Sequence, residues 1–155
     1  MQTQNTNEWF ASWFDSPYYH LLYKNRDEDE AADFLTLLTA HLRIPKTAHL
    51  LDLACGAGRH SRVLHCLGYR VTGCDLSPNS IHEAQEKATE GMDFFVHDMR
   101  NPLPGNYDIT FNLFTSFGYF DNVLDNAKVL TSVSNALTEN GLLIIDFMNA
   151  EKVIS

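Results

Sequence analysis

The chain has 155 residues, 45% of them apolar and 20% charged, and its 20 acidic and 11 basic residues give a net charge of −9. This length suffices for one domain, and the composition is typical of a globular one. The acidic balance, without any run of Lys and Arg, argues against nucleic acid as a partner, because a phosphate backbone is bound by clustered positive charge.

The first 45 residues are predicted to form an N-terminal helical cap, and residues 46–155 the main domain. Aromatic side chains are dense over residues 8–26, where two tryptophans stand four residues apart, as on one face of a helix. These rings either pack on the core or belong to a lid over a ligand pocket, with the hydroxyl of Tyr23 reaching inward. A second helix is predicted over residues 27–42, since its acidic first turn opposes the positive end of the helix dipole.

From residue 48 onward, apolar strands alternate with helices. Strands are predicted over residues 48–54, 69–75, 92–97, 107–113 and 142–148. Helices are predicted over residues 58–67, 78–88 with Ser77 as the cap, and 123–139. This alternation predicts an α/β fold in which helices cover both faces of a doubly wound, mostly parallel sheet. Ligands bind such sheets outside the carboxyl ends of the strands, and we expect the site there.

A turn with two glycines follows the first strand and has the features of a nucleotide-cofactor site. Gly56 and Gly58 permit positive φ and a close approach of a ligand to the main chain, and the next helix offers its first N–H groups. A dinucleotide turn would have Gly or Ala at the position of Ser61 and no acid near the pyrophosphate. Asp52 instead favours a cationic ligand such as S-adenosylmethionine, with a nicotinamide-dependent oxidoreductase as the weaker alternative.

Two further carboxylates stand at the ends of the next two strands. Asp75 is placed to accept hydrogen bonds from both hydroxyls of a ribose, although an isolated Asp there is also typical of a helix cap. Asp98 is placed to accept the amino group of an adenine, with Leu76 or Met99 against the ring. Its alternative role is to cap a loop.

Four short segments, in this order, carry a resemblance to a known family. They are L-D-L-A-C-G-A-G-R-H-S at 51–61, D-L-S at 75–77, H-D-M-R at 97–100 and F-T-S-F-G-Y-F at 114–120. Together they resemble the motifs of class I S-adenosylmethionine-dependent methyltransferases, and most of all a branch of small bacterial methyltransferase domains. The resemblance implies a Rossmann-like core with strand order 3-2-1-4-5 and methyl transfer to a small-molecule acceptor.

The resemblance also implies which residues contact the cofactor. The two glycines would line its methionine portion, and Asp52 would order the turn or receive the amino group through water. Arg59 would hold the cofactor carboxylate or the incoming substrate. The implied set is Asp52, Ala54, Gly56, Gly58, Arg59, Asp75, Leu76, Asp98, Met99, Asn112, Phe114 and, from the lid, Tyr23. No catalytic residue is assigned; His60, His97 and Tyr119 are candidate bases by position only.

The last two strands of that family, which usually help to form the acceptor pocket, have no counterpart here. The chain is therefore either an active methyltransferase or a truncated or non-catalytic S-adenosylmethionine-binding module. The apolar fifth strand would be an exposed sheet edge, which natural proteins avoid. Either the chain is a piece of a longer protein, or a second copy covers this edge in a homodimer.

Three cysteines, without any C-x-x-C pair, favour free thiols in a reducing compartment over disulfides or a metal site. The N-terminus is polar, and no apolar run approaches the roughly 18 residues of a membrane span. The sequence therefore predicts a cytoplasmic protein without a membrane segment.

Overall fold

The computed structural model describes residues 10, 16, 18, 28–113 and 116–147. Within these residues a sheet of five parallel strands has the order β3-β2-β1-β4-β5. The strands are β1 His49–Leu53, β2 Arg70–Asp75, β3 Met92–Val96, β4 Tyr107–Asn112 and β5 Leu137–Ile145. The helices are α1 Glu28–His41, α2 Arg59–Cys66, α3 Pro78–Glu86 and α4 Val123–Ala136. The predicted fold and strand order are confirmed.

The start of α3 follows directly from the sequence. Ser77 caps the helix, since its side chain accepts a hydrogen bond from the backbone N–H of Ser80 at 3.1 Å. Pro78 occupies the first helical position, where no N–H is needed. The helix therefore begins where the predicted one does.

The predicted boundary between α4 and β5 is wrong. We predict a helix to residue 139 and a strand from residue 142, with Gly141 as the helix stop, but α4 ends at Ala136 and β5 begins at once. Tyr107 pairs with Leu137 and Ile109 with Leu142, so residues 138–141 bulge opposite a single residue of β4. Pairing with the neighbouring strand, which local sequence does not encode, ends the helix early.

The two faces of the sheet bury separate clusters of side chains. In β1, Leu50 packs against the α1 and α2 side, whereas Leu51 and Leu53 pack with the other cluster. The first cluster includes Leu35, Val63, Leu64, Val71, Ile109 and Phe111. The second includes Phe10, Leu103, Tyr107, Phe120, Val129 and Val133. Because β1 is the middle strand of the five, its carboxyl end lies at the centre of that edge of the sheet.

Most of the aromatic segment over residues 8–26 lies outside the described residues, which include only Phe10, Ser16 and Tyr18 of it. Phe10 is buried in the second cluster. Among the helices that the structure describes, none is both long and apolar enough to cross a membrane.

Candidate functional site

The turn after β1 has an unusual backbone. Ala54, Gly56 and Gly58 all have positive φ, at 63°, 54° and 76°. The amide of Cys55 donates to the carbonyl of Cys74 at 3.0 Å, which holds the turn beside the end of β2. The chain thus crosses the rim in a tight loop between β1 and α2.

The two glycines of this turn face different surroundings. A Cβ added at Gly56 would meet nothing within 4 Å, so this backbone is open to a ligand. A Cβ at Gly58 would lie 3.0 Å from the Phe94 ring and 3.2 Å from Ala84. Gly58 therefore allows packing against β3 and α3, and it is not among the residues that line the pocket described below.

Asp52 lies behind the turn rather than in the pocket. Its side chain is 1% exposed, and the hydroxyl of Ser61 donates to its Oδ2 at 2.6 Å. Burial raises the pKa of Asp52 to about 6, against the opposing effect of the Ser61 hydrogen bond. The pair joins the end of β1 to the first turn of α2.

Asp75 fastens the turn to the next helix. Its Oδ2 accepts the amide N–H of Gly56 at 2.9 Å, and its Oδ1 accepts that of Ser77 at 2.9 Å. Each carboxylate oxygen can accept more than one hydrogen bond. A carboxylate at the edge of the pocket suits a ligand with two adjacent hydroxyls.

The first pocket opens at the carboxyl ends of β1, β2 and β3. Six residues of the predicted set line it: Ala54, Gly56, Asp75, Leu76, Asp98 and Met99. The sequence predicts His97 and Tyr119, which also line it, only as candidate bases. It does not predict contacts for the other lining residues, which are Phe10, Leu53, Cys74, Ser77, Ser80, Ser116 and Phe120. Most of these adjoin strand ends or the long loop after β4, and that position is the only signal the sequence offered for them. The result is a cleft with carboxylates beside flat apolar walls.

Asp98 is held by Arg100, a residue that the sequence predictions missed. The Arg100 Nη2 is 2.6 Å from Asp98 Oδ2, and its amide donates to Oδ1 at 3.0 Å. Burial alone would raise the pKa of Asp98, but the hydrogen bonds and charge of Arg100 hold it below its ordinary value. The carboxylate is therefore ionised at neutral pH.

A second pocket lies on the other side of the turn. Its lining residues are Glu30, Ala31, Phe34, Arg59, His60, Leu113 and Asp146. Arg59 Nη2 lies 3.1 Å from His60 Nε2. The structure thus separates Arg59 from the predicted residues of the first pocket.

Asn112 is 2% exposed, and its Nδ2 donates to the Leu53 carbonyl at 2.9 Å. Its Oδ1 has no hydrogen-bond partner within the described part of the chain. The side chain joins the ends of β1 and β4 and lines neither pocket. Two other predicted contacts, Tyr23 and Phe114, lie outside the described residues.

Cys55 and Cys74 are buried free thiols, and Cys74 lines the first pocket. Burial raises the pKa of both thiols, so neither is a thiolate at neutral pH. Among the described residues, no group of His, Cys, Asp and Glu is arranged to hold a metal ion.

A family model described as methyltransferase domain matches residues 51–145. The chain is 32% identical over 114 residues to the putative methyltransferase YqeM of Bacillus subtilis, covering 71% of this chain and 46% of that protein. It is 27% identical to the dTDP-3-amino-3,4,6-trideoxy-alpha-D-glucopyranose N,N-dimethyltransferase of Streptomyces venezuelae, covering 83% and 54%. It thus spans about half the length of these curated relatives.

The fold also resembles solved structures. One is that of S-adenosylmethionine-bound CalS10, an amino pentose methyltransferase from Micromonospora echinaspora involved in calicheamicin biosynthesis. The TM-score is 0.70 at 26% identity, over 88% of this chain and 58% of that one.

Proposed function

We propose, since the chain belongs to the methyltransferase domain family, that its first pocket binds S-adenosylmethionine and presents the methyl group to a small-molecule acceptor. The observation that carries this proposal is the pairing of two carboxylates, Asp75 and Asp98, with apolar walls beside the open backbone of Gly56. The resemblance to a structure with S-adenosylmethionine bound supports it.

The chemistry of the pocket fits the adenosyl group. Ribose hydroxyls and the adenine amine are hydrogen-bond donors, and ionised carboxylates only accept. Asp75 is placed for the ribose and Asp98 for the amine, with Leu76 and Met99 on the same lining to cover the ring. The cationic sulfonium and ammonium groups suit a rim whose titratable groups are mainly acidic.

The second pocket is the proposed place for the polar end of a ligand. Arg59 carries a positive charge suited to a carboxylate, whether that of the methionine portion or of an acceptor. Glu30 and Asp146 in the same lining suit a cationic or amine group. The acceptors named for relatives include an amino sugar, and we propose a small amine as the acceptor class.

S-adenosylmethionine, when bound, supplies a methyl group on a sulfonium for in-line displacement by the acceptor. The role of this chain is to hold the two partners in line, and such alignment contributes on the order of several kcal/mol to lowering a barrier. Phe10 and Phe120 form an apolar wall that excludes water from the adenosyl side. His97 and Tyr119 line the same pocket, and we assign neither as a base.

Calorimetry tests the cofactor. We expect S-adenosylmethionine and S-adenosylhomocysteine to bind in the micromolar range and NAD not to bind. Asp75→Ala should abolish binding, whereas Asp93→Ala, on the exposed surface of β3, should not. Binding of NAD instead would favour the oxidoreductase alternative, and binding of none of the three would overturn the proposal.

A non-catalytic S-adenosylmethionine-binding module is the second candidate. The pocket residues named above bear on cofactor binding, and none of them is assigned as a base for the transfer step. Methyl transfer from labelled S-adenosylmethionine to a panel of amino sugars and amino acids separates the two. Tight cofactor binding without turnover on any acceptor would support the module.

We also propose a homodimer through the outer edge of β5. Within the described residues β5 pairs only with β4, and Leu142 on this strand is 48% exposed. Sedimentation velocity should show a dimer, and a concentration-independent monomer would contradict it.

We also propose a cytoplasmic location, which rests on the free thiols of Cys55, Cys66 and Cys74.

A further inference from the structure

Arg100 binds the pocket acid Asp98 through both its backbone and its side chain. The Arg100 amide and Nε each donate to Asp98 Oδ1 at 3.0 Å. Nη2 donates to Oδ2 at 2.6 Å, and Nε also lies 3.1 Å from Oδ2. A paired contact of this kind fixes the rotation of the carboxylate as well as its position.

The hydrogen-bond count on Asp98 limits what a ligand can find there. A carboxylate offers two acceptor positions on each oxygen. The Arg100 amide donates to Oδ1 and Nη2 donates to Oδ2, while the single hydrogen of Nε is shared between the two oxygens. Asp98 is among the described residues that line the pocket, and Arg100 is not. Three N–H hydrogens thus meet four acceptor positions, so the carboxylate, which is 22% exposed and lines the pocket, keeps capacity for one donor from the ligand.

Contacts on other sides hold the guanidinium in place. Its carbon lies 4.7 Å from the centroid of the Phe120 ring, a cation–π contact. Phe120 meets Phe10 edge to face at 5.4 Å, and both rings line the pocket. Arg100 Nη1 is 3.6 Å from Asp125 Oδ2, in the first turn of α4. Arg100 therefore joins the acid of the pocket to its apolar wall.

We propose that Arg100 is a positioning residue for the Asp98 carboxylate, and this inference rests on the proposed function. Through Asp98, Arg100 makes the pocket select a purine with an exocyclic amine over one with a carbonyl at the same place. An amine N–H donates to a carboxylate oxygen of Asp98. A carbonyl oxygen would meet that carboxylate oxygen without a hydrogen between them. A site arranged for a donor rejects an isosteric acceptor, because the buried group is left unpaired.

The charge of Arg100 strengthens this selection. Without it, burial would raise the pKa of Asp98, and a protonated carboxyl could donate to a carbonyl. Loss of Arg100 should therefore relax the selectivity, and more so as the pH falls. A residue that merely supports the fold would not produce this pH dependence.

The test compares S-adenosylhomocysteine with S-inosylhomocysteine, in which the amine is replaced by a carbonyl. Calorimetry on the whole chain should give about a 10- to 100-fold preference for the adenosyl ligand, the range expected for one hydrogen bond to a charged group. Arg100→Gln should weaken adenosyl binding about 10-fold and change inosyl binding less than about twofold. Arg70→Gln is the matched control, since Arg70 is an exposed arginine at the start of β2.

Equal losses for both ligands in Arg100→Gln, or no loss for either, would overturn the role of Arg100 while leaving the proposed function intact. Binding of neither ligand by the wild type would overturn the proposed function, and this inference with it. If Arg100→Gln does not fold, Arg100→Lys carries the test. It keeps the charge and loses the paired donors, so we expect an intermediate preference, and an unchanged preference would overturn the inference.

Discussion

The carboxylate of Asp75 accepts the amide hydrogen of Gly56 at 2.9 Å, so the acid at the end of β2 holds the turn at the end of β1. The other oxygen of this carboxylate accepts the amide hydrogen of Ser77, the N-cap residue of α3. One side chain therefore arranges the open backbone of the pocket and also presents acceptors to it. Changes at this position should therefore affect both the turn and the affinity for a ligand.

Asp75→Asn removes the charge and part of the acceptor capacity while keeping the shape. We expect the affinity for S-adenosylhomocysteine to fall about 10- to 100-fold, since hydrogen bonds to a charged group are involved. Calorimetry measures this, with Asp93→Asn as the control, because Asp93 is 66% exposed at the surface. A similar loss in both variants would contradict a specific role for Asp75.

Gly73→Ala should destabilise the protein without any change in backbone strain. The added Cβ would lie 2.6 Å from the Phe94 ring and 2.9 Å from Cys55 Sγ. Such overpacking costs about 1–3 kcal/mol in the free energy of unfolding. Urea denaturation should show this loss, and the double variant with Phe94→Leu should recover part of it. No loss in the single variant would mean that the ring moves aside freely.

Gly56→Ala and Gly68→Ala form a matched pair. Both glycines have positive φ, at 54° and 92°, so each alanine should cost about 1–2 kcal/mol in the free energy of unfolding. Only Gly56 lines the first pocket, where its Cβ would enter the space left for a ligand. We expect S-adenosylhomocysteine affinity to fall in Gly56→Ala alone. Equal affinities in the two variants would place the ligand elsewhere.

Stability should depend on pH through Asp52. The folded pKa of about 6 lies above the ordinary value of 3.8, so the folded state keeps a proton that the unfolded state has lost. The stabilisation is complete below the ordinary pKa and is lost as the pH rises to about 6 and beyond. Relative to Asp52→Asn, the wild type should lose about 3 kcal/mol of unfolding free energy over this range. Urea denaturation at several pH values checks this, and a constant difference would contradict it.

The sequence was sufficient to predict the fold because local signals agree with the tertiary ones. Continuous apolar runs predict strands that are buried on both faces of a parallel sheet. Ser77-Pro78 predicts the start of a helix, and the two glycines predict the turn between the first strand and the next helix. The end of α4 was not predictable, because the pairing of Leu137 with Tyr107 is a long-range contact. The position of Arg59 likewise depends on how α2 leaves the turn, which a motif does not encode.

The three predicted carboxylates of the site show the same limit of prediction from sequence. Spacing alone placed Asp75 and Asp98 at strand ends, where they line one pocket. The spacing does not reveal that Asp52 is buried against Ser61, because this contact depends on the packing of α2 on β1. Arg100 stands two residues after Asp98, yet this spacing does not indicate that its side chain folds back onto the Asp98 carboxylate.

The bulge in β5 makes one part of this sheet tolerant of length changes. The pairs Tyr107–Leu137 and Ile109–Leu142 fix the strand on both sides of residues 138–141, and residues 138–140 are exposed. An inserted peptide tag or fluorophore site there should leave the sheet intact. A single insertion after Leu142 should not, because it would exchange Leu143 and Ile144 between the two faces.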